Sequence, residues 1–173
     1  MHDPAKIDKP LIRVIDDDDA MRNSWAFLIE GEGWDVKTYA DAITFLSSND
    51  YIRPGCLLLD VRMPHMSGLE LQLKLREAGC DLPIIFISGH GDIDMAVKTM
   101  KDGADDFLSK PVTPERLLDA IEKAVKRDAR IRTESAALEQ ARAAFRRLSA
   151  REQEVAMGVA RGLLNKQIAY ELN

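Results

Sequence analysis

A chain of 173 residues has room for one domain of ordinary size and a smaller second one. With 46% hydrophobic and 31% charged residues it has the profile of a globular protein, which excludes a disordered chain. Apolar runs such as residues 84–87 are too short to span a bilayer, and no charged-then-apolar leader opens the chain, so a cytoplasmic location without a membrane partner is expected.

The net charge of -5 hides an asymmetry. Residues 1–125 carry 23 acidic and 14 basic side chains, whereas residues 126–148 carry seven basic and three acidic ones, which suggests two functional parts. Cys56 and Cys80 form no metal-ligand pair and read as reduced thiols in or near a core.

In chain order, the run 11–15 predicts a buried strand. Residues 19–30 predict a helix with Met21, Trp25, Leu28 and Ile29 on one face, ended by Gly31 and Gly33. Residues 34–39 form a second strand and 41–48 a short helix. After the Pro54-Gly55 turn, residues 56–59 form a third strand. Residues 67–78 predict a helix with Leu69, Leu71, Leu73 and Leu75 as its apolar positions and Gly79 at its end. Residues 83–87 and 105–108 read as strands on either side of a helix over 92–101. A helix capped by Thr113, with Pro114 at its first position, covers 113–126.

That helix is expected to continue as a linker. Leu117, Ala124, Ile131, Leu138 and Phe145 recur every seven residues, and no Gly or Pro interrupts from Glu115 to Gly158. The intermediate positions, Asp128, Ser135 and Arg142, are poor for a coiled-coil core. A solvated helix with an apolar stripe, stabilised by pairing with a second copy, is one reading. From Ser149 a capping box with Glu152 starts a helix bearing Val155, Met157, Val159 and Ala160, which Gly162 stops. Asn165 then caps a last helix with Ile168, Ala169 and Leu172.

Strands that alternate with helices predict an α/β fold, a doubly wound five-stranded parallel sheet with helices on both faces. Ligands of such sheets bind beyond the carboxyl ends of the strands. At that edge the sequence delivers Asp16-Asp17-Asp18-Asp19 after the first strand, Asp60 after the third, Ser88 after the fourth and Lys110 after the fifth. Alone, four aspartates are ordinarily a solvated turn or a helix N-terminus, and each of the others an ordinary loop residue. Their convergence from four strand ends is specific. Crowded carboxylates call for a proton or a cation, and Mg²⁺ takes oxygen ligands while leaving positions for a phosphoryl oxygen. A carboxylate also attacks phosphorus to give an acyl phosphate, whose oxygens need an ammonium and hydrogen-bond donors.

The segments Val14-Ile15-Asp16-Asp17, Leu58-Leu59-Asp60-Val61-Arg62-Met63-Pro64-His65-Met66-Ser67-Gly68, Ile87-Ser88-Gly89-His90-Gly91-Asp92 and Lys110-Pro111 resemble the receiver domain of two-component response regulators. The resemblance covers residues 11 to about 127 and implies a flavodoxin-like receiver over 1–127. By position it makes Asp60 the phosphoacceptor. Asp16, Asp17 and Asp60 become Mg²⁺ ligands together with the backbone carbonyl of Arg62, with a one-residue ambiguity along the aspartate run. Ser88 and Lys110 stabilise the phosphoryl group, Ser88 and Phe107 form the switch, and Pro111 is the candidate for a cis peptide. The resemblance further implies a sensor histidine kinase as partner and a homodimer formed on phosphorylation through the fourth helix and fifth strand. His65 and His90 fall in loops at the same edge, but without a chelating spacing they read as bystanders rather than transition-metal ligands.

Leu148-Ser149-Ala150-Arg151-Glu152-Gln153-Glu154-Val155, Gly162 and Asn165-Lys166-Gln167-Ile168-Ala169 resemble the start of a LuxR-type helix-turn-helix, as in the FixJ/NarL family. The implied organisation is a helical linker over 128–147 and an incomplete helix-turn-helix over 148–173. Its recognition helix, which would enter the major groove, is expected to be missing, so promoter DNA is a partner of a full-length parent alone. Two readings stay open beside this one: a stand-alone receiver that acts by protein–protein contact, and a small Mg²⁺-dependent phosphatase. The latter needs a second catalytic acid where Arg62 stands, so no enzyme is expected.

Overall fold

The computed structural model describes residues 9–89 and 93–172, so the reading of His90 lies outside the described residues. Strands β1 (Leu11–Ile15), β2 (Asp35–Tyr39), β3 (Gly55–Asp60), β4 (Ile84–Ser88) and β5 (Asp106–Ser109) alternate with helices α1 (Asp19–Gly31), α2 (Ala42–Ser48), α3 (Gly68–Glu77) and α4 (Ile93–Lys101). They are followed by α5 (Pro114–Arg146), α6 (Ala150–Ala160) and α7 (Asn165–Glu171). The strands pair in parallel in the order β2-β1-β3-β4-β5, the expected doubly wound, flavodoxin-like sheet.

Strand side chains alternate between two apolar layers, which is why β1, β3 and β4 are apolar almost throughout. Ile12, Val14, Cys56, Leu58, Ile85 and Ile87 pack with Trp25 and Ile29 of α1 and Leu117 and Ile121 of α5. Ile15, Leu57, Leu59, Ile84 and Phe86 pack with Phe45 of α2 and Leu71 and Leu75 of α3. Cys56 lies in the first layer, where burial pushes its thiol far up, and both cysteines are free.

Several local expectations change. β2 begins one residue later than read, at Asp35, and Trp34 instead packs against the first layer. In α3, Leu73 is exposed, while Gln72 joins Leu71 and Leu75 on the buried face. The helical period brings 71, 72 and 75 together, and the alternate leucines misled because two-residue spacing belongs to strands. The seven-residue stripe of α5 divides as well. Leu117 and Ala124 belong to the first core layer, whereas Leu138 and Phe145 are exposed. Asp128, read as a poor core position, is buried, and its carboxylate accepts the Gly55 N–H at 2.9 Å.

The chain divides into two compact units, one ending at Arg130 and the other starting at Ile131. In the second, Ser149 and Glu152 form the predicted capping box at the start of α6. Gly158 lets α6 approach α7, since a Cβ there would lie 2.9 Å from the Ile168 side chain. Asn165 is the first residue of α7 rather than its cap. Leu164 holds the cap position, where Gln167 reaches back to accept its N–H at 2.8 Å. Val155, Met157, Val159, Leu164 and Tyr170 remain exposed. Among the described residues no helix is long and apolar enough to cross a membrane.

Candidate functional site

The parallel sheet places the carboxyl ends of β1, β3, β4 and β5 along one edge. Asp16 follows β1 directly, Asp60 is the last residue of β3, Ser88 the last of β4, and Lys110 follows Ser109 of β5. Asp16, Asp60 and Ser88 are 4%, 8% and 2% exposed, burial that polar side chains tolerate when they are paired or hydrogen-bonded.

Lys110 is the centre of the pairing. Its ammonium donates to Asp16 Oδ2 at 2.9 Å and to Asp60 Oδ1 at 3.0 Å. The other oxygens of the two carboxylates take main-chain donors: Asp16 Oδ1 accepts the Asp18 N–H at 2.9 Å, and Asp60 Oδ2 accepts the Arg62 N–H at 2.8 Å. Lys110 is itself anchored, its N–H donating to the Ser88 carbonyl at 2.8 Å, and the Lys110–Pro111 peptide is cis. Burial pushes the Asp60 carboxyl above the usual range despite Lys110. Desolvation opposes the charge on Lys110, but the hydrogen bonds to Asp16 and Asp60 outweigh it and raise its pKa.

Asp16, Asp17, Asp60, Arg62, Ser88 and Lys110 line one cleft of about 370 Å³. The aspartate run divides by role. Asp16 is buried at the cleft floor and Asp17 lies exposed at its wall. Asp18 caps α1, its Oδ1 accepting the N–H groups of Ala20 at 2.9 Å and Met21 at 3.1 Å, and Asp19 is the first helical residue. His65 is exposed in the β3–α3 loop at φ 66 and does not line the cleft.

Phe107 is half-buried and packs against the second core layer. It is paired in register with Phe86, and Ser88 with Ser109. Strand alternation therefore puts Phe107 on the same face of the sheet as Ser88, one side-chain step closer to the strand starts.

Two residues not singled out from the sequence support the site. Gly68 is required at the start of α3, because a Cβ there would meet the Asp60 carbonyl oxygen at 2.2 Å. Arg22 of α1 donates to the Asp16 carbonyl at 2.7 Å and pairs with the Asp19 carboxylate. The glycine stood in a quoted motif without a role, and the arginine's only sequence signal was a cation three residues beyond an acidic run.

The donor set suits a hard cation. Among the described residues, no three or more His, Cys, Asp or Glu side chains stand grouped closely enough to hold a metal ion by themselves. Mg²⁺ does not need such a group, since one or two carboxylates with waters ordinarily hold it. The cleft offers the carboxylates of Asp16, Asp17 and Asp60 with the main chain of Arg62 beside them.

A family model described as the response regulator receiver domain matches residues 12–122. The response regulator protein TmoT of Ectopseudomonas mendocina is 46% identical over 163 residues, covering 94% of this chain and 74% of its own length. The transcriptional regulatory protein FixJ of Rhizobium meliloti is 39% identical over 162 residues, covering 94% of this chain and 79% of its own. Among solved structures, that of the response regulator StyR is 44% identical, with a TM-score of 0.84 over 95% of this chain and 83% of that one.

Proposed function

The chain belongs to the response regulator receiver family, and from that premise we propose that Asp60 is its phosphoacceptor in a two-component system, charged by a histidine kinase. The observation that carries this reading is the Lys110 ammonium, held between Asp16 and Asp60 at the strand ends. On this reading the chain passes on a signal and does not turn over a substrate, which its similarity to response regulators supports.

In the transfer, an Asp60 carboxylate oxygen attacks the phosphorus of a phosphohistidine. The O–P bond forms as the N–P bond breaks, and the departing imidazole leaves with the electron pair and takes up a proton. Lys110 moves from the Asp60 oxygen to a phosphoryl oxygen, and the Ser88 hydroxyl donates to another. Arg62 N–H holds the second carboxylate oxygen and fixes the attacking one toward the cleft. Asp16 and Asp17, with Asp60 and the Arg62 carbonyl, would hold Mg²⁺. That ion supplies compensating charge for the phosphoryl oxygens.

Movement of Ser88 toward the phosphoryl group vacates space on the face it shares with Phe107. Phe107 fills that space, and the surface of α4 and β5 repacks. A second receiver that binds this repacked surface more tightly shifts the population toward the phosphorylated form. The domain reading is a receiver over 1–127, a linker over 128–147 and the first helices of a LuxR-type helix-turn-helix over 148–173. In a longer protein the dimer would present two such units to promoter DNA.

The test is incubation with acetyl phosphate and Mg²⁺, followed by intact-mass measurement. One phosphoryl adduct is expected on the wild type, lost on addition of a chelator before the donor and absent in Asp60→Asn. An adduct of equal occupancy in Asp60→Asn refutes the assignment.

A further inference from the structure

We propose that Arg22 is a positioning residue for the acidic loop: by clamping the Asp16 carbonyl to the first turns of α1, it sets the direction from which Asp17 faces the cation site.

The argument begins with the peptide that joins Asp16 to Asp17. Its carbonyl belongs to Asp16 and its N–H to Asp17, and the unit is planar. Whatever fixes that carbonyl therefore fixes where the Asp17 backbone begins. The carbonyl accepts from Arg22 Nη1 at 2.7 Å, while Arg22 Nη2 pairs with the Asp19 carboxylate. The Arg22 side chain is only 13% exposed, so the fork is held in place rather than waving in solvent.

The remaining restraints on Asp16 act elsewhere on the residue. Its N–H donates to the Tyr39 carbonyl at 3.3 Å, which ties it to β2. Its two carboxylate oxygens are taken by the Asp18 N–H and by Lys110. Asp17, by contrast, is exposed at the cleft wall. Its approach to the site depends on the peptides on either side of it: the following one is held by the Asp18 N–H on Asp16, and Arg22 is the side chain that holds the preceding one.

Charge and geometry make opposite predictions, which is what makes the inference testable. Arg22 is a cation beside four consecutive aspartates. If its field were what mattered, removing it would leave the loop more negative and tighten binding of a divalent cation. If its hydrogen bonds matter, removing it frees the peptide and weakens binding. The geometry favours the second, because the guanidinium spans the Asp16 carbonyl and the Asp19 carboxylate with its fixed fork.

The inference rests on the proposed cation site, so wild-type Mg²⁺ binding is measured first by calorimetry. No binding by the wild type refutes that site; the tests of Arg22 are read against a wild type that binds. In Arg22→Ala, Mg²⁺ affinity should fall about tenfold, as for loss of an outer-shell partner of a metal ligand. The acetyl phosphate reaction should then need correspondingly more Mg²⁺ while approaching the wild-type rate at saturation. Arg22→Lys keeps the charge and reaches one acceptor, so it should lie between the two; it also serves if Arg22→Ala does not fold. Tighter or unchanged Mg²⁺ binding in a folded Arg22→Ala overturns the inference, as does Arg22→Lys weakened as fully as Arg22→Ala.

Discussion

Asp128 offers the sharpest test of how the end of the receiver unit is held. It is only 3% exposed, lies in α5, and accepts the N–H of Gly55 at 2.9 Å across 73 residues of sequence. Gly55 begins β3 at φ 141, with the Leu11 carbonyl so close that a Cβ would lie 1.9 Å from it. Gly55 is buried and gives its N–H to Asp128, so Asp128→Ala strands a buried donor. A hydrogen bond to a charged group contributes about 1.5–3 kcal/mol, and orphaning its partner costs the desolvation of that partner, so we expect a loss of about 2–3 kcal/mol. Asp128→Asn retains a carbonyl acceptor and should lose about 1 kcal/mol, roughly the share of the charge. Both tryptophans, Trp25 and Trp34, lie in this unit, so fluorescence-detected urea unfolding reads it without the helices that follow. A loss below about 0.5 kcal/mol for Asp128→Ala, the scale of a neutral surface change, would refute the reasoning. So would Asp128→Asn as damaging as Asp128→Ala.

Further expectations concern the strand starts, the Asp50 cluster and the cleft. Gly55→Ala forces a Cβ into the Leu11 carbonyl at a positive φ and should cost more than about 3 kcal/mol, read as collapse of soluble yield or of the urea midpoint. Asp50 would be raised by burial, but Lys37, Tyr39 and Arg13 outweigh this and hold its carboxyl below the usual range. Its contribution to stability is therefore present above the unfolded value of about 4 and is lost as pH falls through the lower folded value. Tyr39→Phe, which removes a 2.6 Å bond to Asp50, should lower the unfolding midpoint at pH 7 and less so by pH 3; a deficit that grows on acidification contradicts this. Lys110→Met leaves Asp16 and Asp60 facing each other without their shared cation. The variant should gain more thermal stability from Mg²⁺ than the wild type does, and an equal gain in both would show that Lys110 does not relieve this repulsion.

Much of the fold was legible because a parallel sheet writes its pattern into short stretches of chain. Continuous apolar runs such as Leu57-Leu58-Leu59 serve both core layers, and the turns between them are marked by Gly, Pro and Asp. Where local pattern misled, a neighbour or a different period decided the outcome. Leu73 was drawn in by a two-residue alternation that a helix does not use. Leu164, not Asn165, occupies the cap of α7, because Gln167 three residues on can satisfy the free N–H from inside the helix. The stripe from Leu117 to Phe145 keeps one spacing throughout, yet its first members are core residues and its last are exposed.

The cleft was legible for a different reason. In a sheet of parallel strands, position along the sequence becomes position at one edge, so residues that follow separate strands must converge. Asp16, Asp60, Ser88 and Lys110 could thus be grouped before any distance was known. What supports the cleft, and the strand starts at the opposite edge, was hidden, because it comes from contacts that no strand period encodes. Arg22 reaches backward from a helix to a carbonyl, and Asp128 reaches 73 residues to an amide. In both cases a side chain meets a main-chain group, which has no residue identity to read. Charged residues on helices are therefore where this sequence conceals the contacts that brace both edges of its sheet. Mutating them tests the fold more sharply than mutating another leucine of a core already redundant in apolar contacts.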